Sequence, residues 1–174
     1  MTRGIRPERA QDAAAIRALQ EAAFAPSVLE AEILDGLRAD GDLVPALSLV
    51  VVQDGELAGH VAVSRAQVAP PDGAPAEVLA LGPIGVLPGR QGRGLGSALM
   101  RATLAAAAAT PWPLIALLGH AGYYPRFGFE PAGALGLGCP YPVAPEHWMA
   151  YRLPAYDPAI RGAFAYAPAF DRAA

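Results

Sequence analysis

Glycines alternating at the junction of a strand-like and a helix-like segment constrain this chain more than any other feature. Residues 78–86 are apolar and strand-like, and residues 98–109 are alanine-rich and helix-like. Between them runs Val86-Leu87-Pro88-Gly89-Arg90-Gln91-Gly92-Arg93-Gly94-Leu95-Gly96-Ser97. Glycines at 92, 94 and 96 leave no Cβ in the turn, so several backbone N–H groups can converge on one point. The helix that starts there brings unpaired N–H donors and the positive end of its dipole to the same point. Such a junction binds an anionic group, most often a phosphate, and Arg90 and Arg93 add positive charge beside it.

Two common phosphate loops do not fit. The Walker A loop ends in Gly-Lys-Ser/Thr, and this chain contains no lysine. The dinucleotide fingerprint needs G-x-G-x-x-G and an acidic residue about twenty positions on. Here Ser97 stands where its last glycine should be, and no acidic residue occurs between Glu77 and Glu130. A third pattern, Gln/Arg-x-x-Gly-x-Gly/Ala, is matched in full by Gln91-Gly92-Arg93-Gly94-Leu95-Gly96.

With that loop the chain resembles the GNAT superfamily of N-acetyltransferases, which holds the pyrophosphate of acetyl-CoA in this way. Ile84-Gly85-Val86-Leu87-Pro88 resembles the family's strand-exit segment. Tyr123-Tyr124-Pro125-Arg126-Phe127-Gly128-Phe129 resembles its aromatic-Tyr-x-x-x-Gly-Phe segment, about thirty residues on. The Leu81-Gly82-Pro83-Ile84 entry and the tyrosine-rich run look closest to the YhbS-like bacterial subgroup. The resemblance covers the chain to about Leu153 and leaves residues 154–174 as a C-terminal extension of a single domain.

Composition narrows the function classes. A chain of 174 residues is long enough to bury a sizeable core as one domain. A net charge of −3 gives no basis for nucleic-acid binding. No run approaches the roughly eighteen apolar residues of a membrane span. Residues 1–6 lack the apolar stretch of a signal peptide, so the cytoplasm is the expected compartment. The single cysteine, Cys139, cannot form an internal disulfide, and it has no metal-ligand spacing with His60, His120 or His147. No metal is expected. The lack of lysine and asparagine beside abundant Ala, Gly, Pro and Arg reads as the coding bias of a GC-rich bacterial genome.

The periodicities predict an α/β domain. Residues 4–6 form a short first strand. Asp12 caps a helix carrying Ile16, Leu19, Ala23 and Phe24. Ser27-Val28-Leu29-Glu30 is a capping-box pattern before Ile33, Leu34 and Leu37, and Gly41 ends that helix. Residues 47–52 and 57–68 are strands joined by an Asp54-Gly55 hairpin. Residues 78–86, 114–118 and 148–153 are further strands, with another over 163–166. This order gives a GNAT-like mixed central sheet of about six to seven strands flanked by helices.

The resemblance then implies roles. Gln91 to Ser97 (Gln91, Gly92, Arg93, Gly94, Leu95, Gly96 and Ser97) would hold the cofactor's diphosphate. Ile84, Gly85 and Val86 would pair with its pantetheine arm as with an added strand. In the family the sheet splays between the fourth and fifth strands to admit it. A backbone N–H of this stretch could polarise the thioester carbonyl, and Gly85 is compatible with a strand irregularity that frees such a donor. Tyr124 aligns with the tyrosine that protonates the departing thiolate. The count back from Gly128-Phe129 favours it over Tyr123, and Pro125 puts it at the entrance of a short helix.

No general base is legible. His120, just past the fifth strand, and Glu30, in the second helix over the acceptor pocket, are candidates beside Glu32 and a plain water chain. The implied activity is transfer of acetyl from acetyl-CoA to a primary amine, on a small molecule or a protein, by direct attack in a ternary complex. Two rivals stay open: a non-catalytic acyl-CoA-binding sensor, and transfer of a longer acyl group. The aromatic tail from Tyr156 to Phe170 could close a dimer or cover the sheet, so monomer and homodimer both remain.

Overall fold

Alternating apolar side chains decide which layer each strand faces. The computed structural model describes residues 3–173. The chain runs β1 (Arg3–Pro7), α1 (Ala13–Phe24), α2 (Leu29–Asp40), β2 (Leu49–Gln53), β3 (Glu56–Ala69), β4 (Ala76–Val86), α3 (Leu95–Ala108), β5 (Leu114–Leu118), β6 (Glu130–Pro131), β7 (Leu137–Gly138), β8 (Trp148–Arg152), β9 (Gly162–Ala165) and α4 (Pro168–Ala173). One sheet holds them in the order β1-β2-β3-β4-β5-β8-β6, with β9 on the far end of β3 and β7 on β9. Of its nine strands, β6 and β7 are two-residue pieces. They lie beyond Phe129, where glycines and prolines leave no period long enough to read.

Along β2, Leu49 and Val51 face α3 while Val50 faces α1 and α2. Val61 and Val63 of β3 repeat the first direction and Ala62 the second. On β5, Ile115 and Leu117 join the α3 side, and Leu114 and Ala116 meet an aromatic cluster built on Trp148 and Phe164. One face of the sheet therefore packs on α3. The other is divided between the α1–α2 pair and the C-terminal aromatics. At the β2–β3 turn, Asp54 and Gly55 have φ of 52° and 86°, the pair of positive values a two-residue hairpin needs.

Residues 154–173 cover the sheet as part of the fold. β9 lies antiparallel to residues 67–69 of β3, α4 packs on α2, and Phe164 is buried. Asp12 stands at the N-cap of α1 as expected, but its side chain makes no cap hydrogen bond to that helix. Its carboxylate takes two hydrogen bonds from Arg6 (2.6 and 3.0 Å) and one from the Arg9 N–H (2.8 Å), because a 3₁₀ turn over 10–12 precedes α1.

The parallel pair of β4 and β5 carries the functional geometry. It is registered only at Leu79↔Ile115 and Ala80↔Ala116. Beyond Ala80, β4 continues to Val86 paired with β3 alone, and β5 turns to β8. Among the described residues, the edge of residues 81–86 that faces β5 is thus left without a partner strand. A bulge sits at its start: Val63 pairs Leu81 but Val61 pairs Ile84, so Gly82 and Pro83 oppose the single residue Ala62. The strand irregularity expected around Gly85 lies at Gly82-Pro83 instead, and Gly85 is in register with His60.

Candidate functional site

Two cavities flank the open edge of β4. The first, of about 390 Å³, lies at the α3 start and is lined by Val86, Arg90, Gln91, Gly92, Gly94, Leu95, Gly96, Ser97, Tyr123 and Arg126. The local sequence explains its shape. Pro88 opens a 3₁₀ turn over Pro88–Arg90, and the Gln91 side chain donates to the Val86 carbonyl at 3.0 Å, tying the loop to β4. Gly92 and Gly94 have φ of 72° and 75°, the left-handed region that a Cβ disfavours. Gly94 is the N-cap of α3, and its carbonyl accepts the Ala98 N–H at 3.0 Å. The first N–H groups of an α-helix have no partner in their own helix, and Leu95, Gly96 and Ser97, which carry them in α3, line this cavity.

The cavity wall is cationic and aromatic. The Arg126 guanidinium lies 4.6 Å from the Tyr123 ring centre, and the Tyr123 hydroxyl is 3.4 Å from Ser97 Oγ. Arg90 is paired with Glu56 at 3.2 Å. Arg93, expected beside the anion, is not among the lining residues; Arg90 and Arg126 are. Arg126 escaped the sequence reading because it sits thirty residues beyond the loop, though its place three residues after Tyr123 was a usable signal. Backbone donors, a helix N-terminus and two guanidiniums make a chemically apt seat for a diphosphate.

The second cavity, of about 420 Å³, lies at the other end of the open edge. Leu81, Gly82, Pro83 and Ile84 of β4 line it together with Leu118, Gly119 and His120 at the end of β5. Phe24, Glu30 and Ile33 come from the two first helices, and Tyr141, Tyr166 and Phe170 from the C-terminal part. Tyr124 lines it as well. The two neighbouring tyrosines are thereby separated, Tyr123 to the loop cavity and Tyr124 to this one.

Tyr124 is the first residue of a 3₁₀ turn over Tyr124–Phe127, at the entrance that Pro125 implies. Its ring is only 8 % exposed and lies directly on Gly119, where any Cβ would collide with it. Burial, and the neighbouring Tyr123, push its phenol up to about 12. It therefore keeps its proton throughout the neutral range. His120 is exposed at the cavity rim and accepts the Tyr123 N–H through its carbonyl at 2.9 Å. Glu30 is half-buried, and its carboxylate accepts a hydrogen bond from Ser27 Oγ at 2.8 Å.

Behind Gly85 lies a buried polar ladder that the sequence did not reveal. Gln20 Nε2 is 2.9 Å from His60 Nδ1, His60 Nε2 is 2.7 Å from Glu8 Oε2, and Arg38 donates to Glu8 Oε1 at 3.0 Å. An amide N–H₂ can only donate, so Nδ1 accepts and Nε2 carries the imidazole proton, which it donates to Glu8. Burial lowers the His60 pKa against the opposing pull of Glu8. Burial also pushes Glu8 up, but the His60 hydrogen bond and the His60 and Arg38 charges outweigh it, and the net shift is down. A Cβ at Gly85 would stand 2.6 Å from Gln20 Oε1 and 3.0 Å from the Ala23 Cβ, so the Gln20 side chain would have to shift and α1 would be crowded. Among the described residues, no group of three or more His, Cys, Asp or Glu could hold a metal ion, and no helix is long and apolar enough to cross a membrane.

Comparison with known proteins places this geometry in a family. The model of an acetyltransferase (GNAT) domain matches residues 4–132. The uncharacterised N-acetyltransferase YjhQ of Escherichia coli is 37% identical over 155 residues, covering 87% of this chain and 84% of its own. The uncharacterised N-acetyltransferase YhbS of the same organism is 33% identical over 159 residues, 91% of this chain and 90% of its own. A crystal structure of YhbS in complex with CoA superposes with a TM-score of 0.87 at 31% identity, over 98% of this chain and 92% of that one. A GNAT family acetyltransferase from Brucella melitensis in complex with acetyl-CoA gives 0.79 at 38% identity, over 98% and 99%.

Proposed function

Because this chain belongs to the GNAT family of acetyltransferases, we propose that it passes an acetyl group from acetyl-CoA directly to a primary amine at the split between β4 and β5. It is an acetyltransferase, and acetyl-CoA is its cosubstrate. The direct route rests on one observation above all: the unpaired edge of residues 81–86 runs from the loop cavity at Val86 to the cavity lined by Tyr124 at Ile84. A pantetheine arm paired to that edge as an added strand leads from the first cavity to the second.

Acetyl-CoA supplies a thioester: the amine nitrogen bonds to its carbonyl carbon, the carbon–sulfur bond breaks, and the proton lost by nitrogen balances the one gained by sulfur. The chain's own groups divide this work. Loop N–H groups with Arg90 and Arg126 fix the diphosphate, and the free edge of β4 aligns the arm. Tyr124 donates its hydroxyl hydrogen bond where charge builds on sulfur. With its pKa at about 12, full transfer to a thiolate near 8.5 runs uphill. Its main contribution is therefore the hydrogen bond, and the proton arrives from the nitrogen side.

The test is calorimetric and kinetic. Acetyl-CoA should bind the wild type, and an amine panel should release free thiol at a rate that falls in Tyr124→Phe with cofactor affinity retained. Acetyl-CoA binding with equal thiol release by wild type and Tyr124→Phe would remove Tyr124 from the chemistry.

A further inference from the structure

We propose that the acceptor is a small primary amine with one positive charge, an aromatic or compact apolar body and no carboxylate. The proposal rests on acetyl transfer at the β4–β5 split and adds the chemical class of the molecule that receives the group. Its seat is the cavity of about 420 Å³ walled by Phe24, Ile33, Tyr141, Tyr166 and Phe170, with Glu30 at its side. That volume is near the lower end of ligand sites, ~300–1,000 Å³, and the acetyl end of the cosubstrate must share it. Room remains for a body about one ring in size.

Charge narrows the class further. Glu30 is the one carboxylate among the described residues lining the cavity, and no arginine lines it; the chain has no lysine to do so. One ammonium therefore finds a counter-charge. An α-carboxylate or a phosphate finds no arginine or lysine, only the imidazole of His120 at the exposed rim, and the further ammoniums of a polyamine would find no second carboxylate. The Ser27 hydrogen bond at 2.8 Å holds Glu30 at the α2 start, so its charge is positioned before any ligand arrives.

The aromatic wall is braced. Tyr141 donates to Asp171 Oδ1 at 3.2 Å, Tyr166 lies 5.7 Å from Tyr141, and Phe170 lies 4.6 Å from Tyr166, centre to centre. Such a wall offers ring edges and faces to an aromatic body and a π-face to an ammonium. It also aids the chemistry. Moving an amine out of water disfavours its charged form, and only the neutral amine has the lone pair that attacks. Desolvation by these rings supplies part of the deprotonation for which no buried base stands in the cavity.

The test is a competition among four acceptors with saturating acetyl-CoA: 2-phenylethylamine, spermidine, phenylalanine and a short peptide with a free N-terminus. The wild type should favour 2-phenylethylamine in kcat/KM by at least roughly tenfold over each of the others. Phe170→Ala should raise its KM by roughly tenfold, and Glu30→Gln by roughly fivefold, with acetyl-CoA binding retained in both. Preference for spermidine, phenylalanine or the peptide overturns the acceptor class and leaves acetyl transfer standing. Retained acetyl-CoA binding with no turnover of 2-phenylethylamine also overturns it. Failure of acetyl-CoA to bind would show instead that the underlying reading had failed, and the acceptor class would fall with it.

Discussion

The two cavities at the ends of the β4 edge are built on opposite principles. The loop cavity takes most of its wall from residues 86–97 and works through backbone: N–H groups, positive φ and a helix start. The Tyr124 cavity draws single side chains from segments as far apart as Phe24 and Phe170, and it works through their bulk and charge. A backbone site fails when a Cβ is added. A side-chain site is retuned when a side chain changes. The difference also explains why family membership constrains the cosubstrate so much better than the acceptor.

The sharpest way to break this contrast is Gly94→Glu. A side chain at φ 75° carries strain of about 1–2 kcal/mol, and its carboxylate would face a diphosphate, a like-charge contact costing several kcal/mol. Acetyl-CoA affinity should fall on the order of a hundredfold or more, by calorimetry, with the far-ultraviolet circular dichroism of the fold intact. Wild-type affinity in this variant would mean that the loop is not the anchor.

At the other cavity, Tyr124→Phe should lower kcat by about a hundredfold, the lower end of what one hydrogen-bond donor aimed at developing charge contributes, and leave acetyl-CoA affinity unchanged. With the phenol at about 12, the kcat profile of the wild type should show no loss from Tyr124 ionisation below about pH 10. Gly119→Ala is the milder companion. Its methyl would displace the Tyr124 ring, and a misaimed phenol should cost kcat roughly tenfold. Added to Tyr124→Phe, Gly119→Ala should lower kcat little further, because both changes act on one hydroxyl. Full additivity would show that Gly119 matters for packing alone.

What was legible in the sequence follows the same division. Gly92, Gly94 and Gly96 announce the loop because a backbone site must be written in contiguous residues. Leu114–Leu118 and the Asp54-Gly55 turn were readable because their periods and turn chemistry are local. Tyr124 was reachable through its spacing from Gly128 and Phe129. Tyr141, Tyr166 and Phe170 were not, since nothing local marks a ring that reaches a site only after β9 and α4 have folded over the sheet. The bulge at Gly82-Pro83 was missed in favour of Gly85 because a glycine signals both a bulge and a close approach. Here Gly85 answers the close approach of Gln20, and Pro83, which has no N–H to give to β3, marks the bulge.

The smallest expected effect is a dependence of stability on pH. The Glu8–His60–Gln20 ladder lies under α1, the helix that carries Phe24 into the Tyr124 cavity. His60 faces Glu8, Arg38 and Asp12, and its pKa in the fold is below its ordinary 6.5 because it is buried. A group whose pKa is lowered by folding binds its proton more readily in the unfolded chain. The stability it contributes is complete above pH 6.5 and is lost as pH falls from there towards the folded value. Glu8, also lowered, from 4.5, adds a second loss in the same direction below pH 4.5. The melting temperature should therefore drop on acidification from pH 7 to pH 5, and the unfolding free energy should fall with a slope from His60 of at most about 1.4 kcal/mol per pH unit. His60→Gln should be less stable at pH 7 and flatter across that interval. Wild-type pH dependence in His60→Gln would mean that the ladder does not set the acid limb of stability.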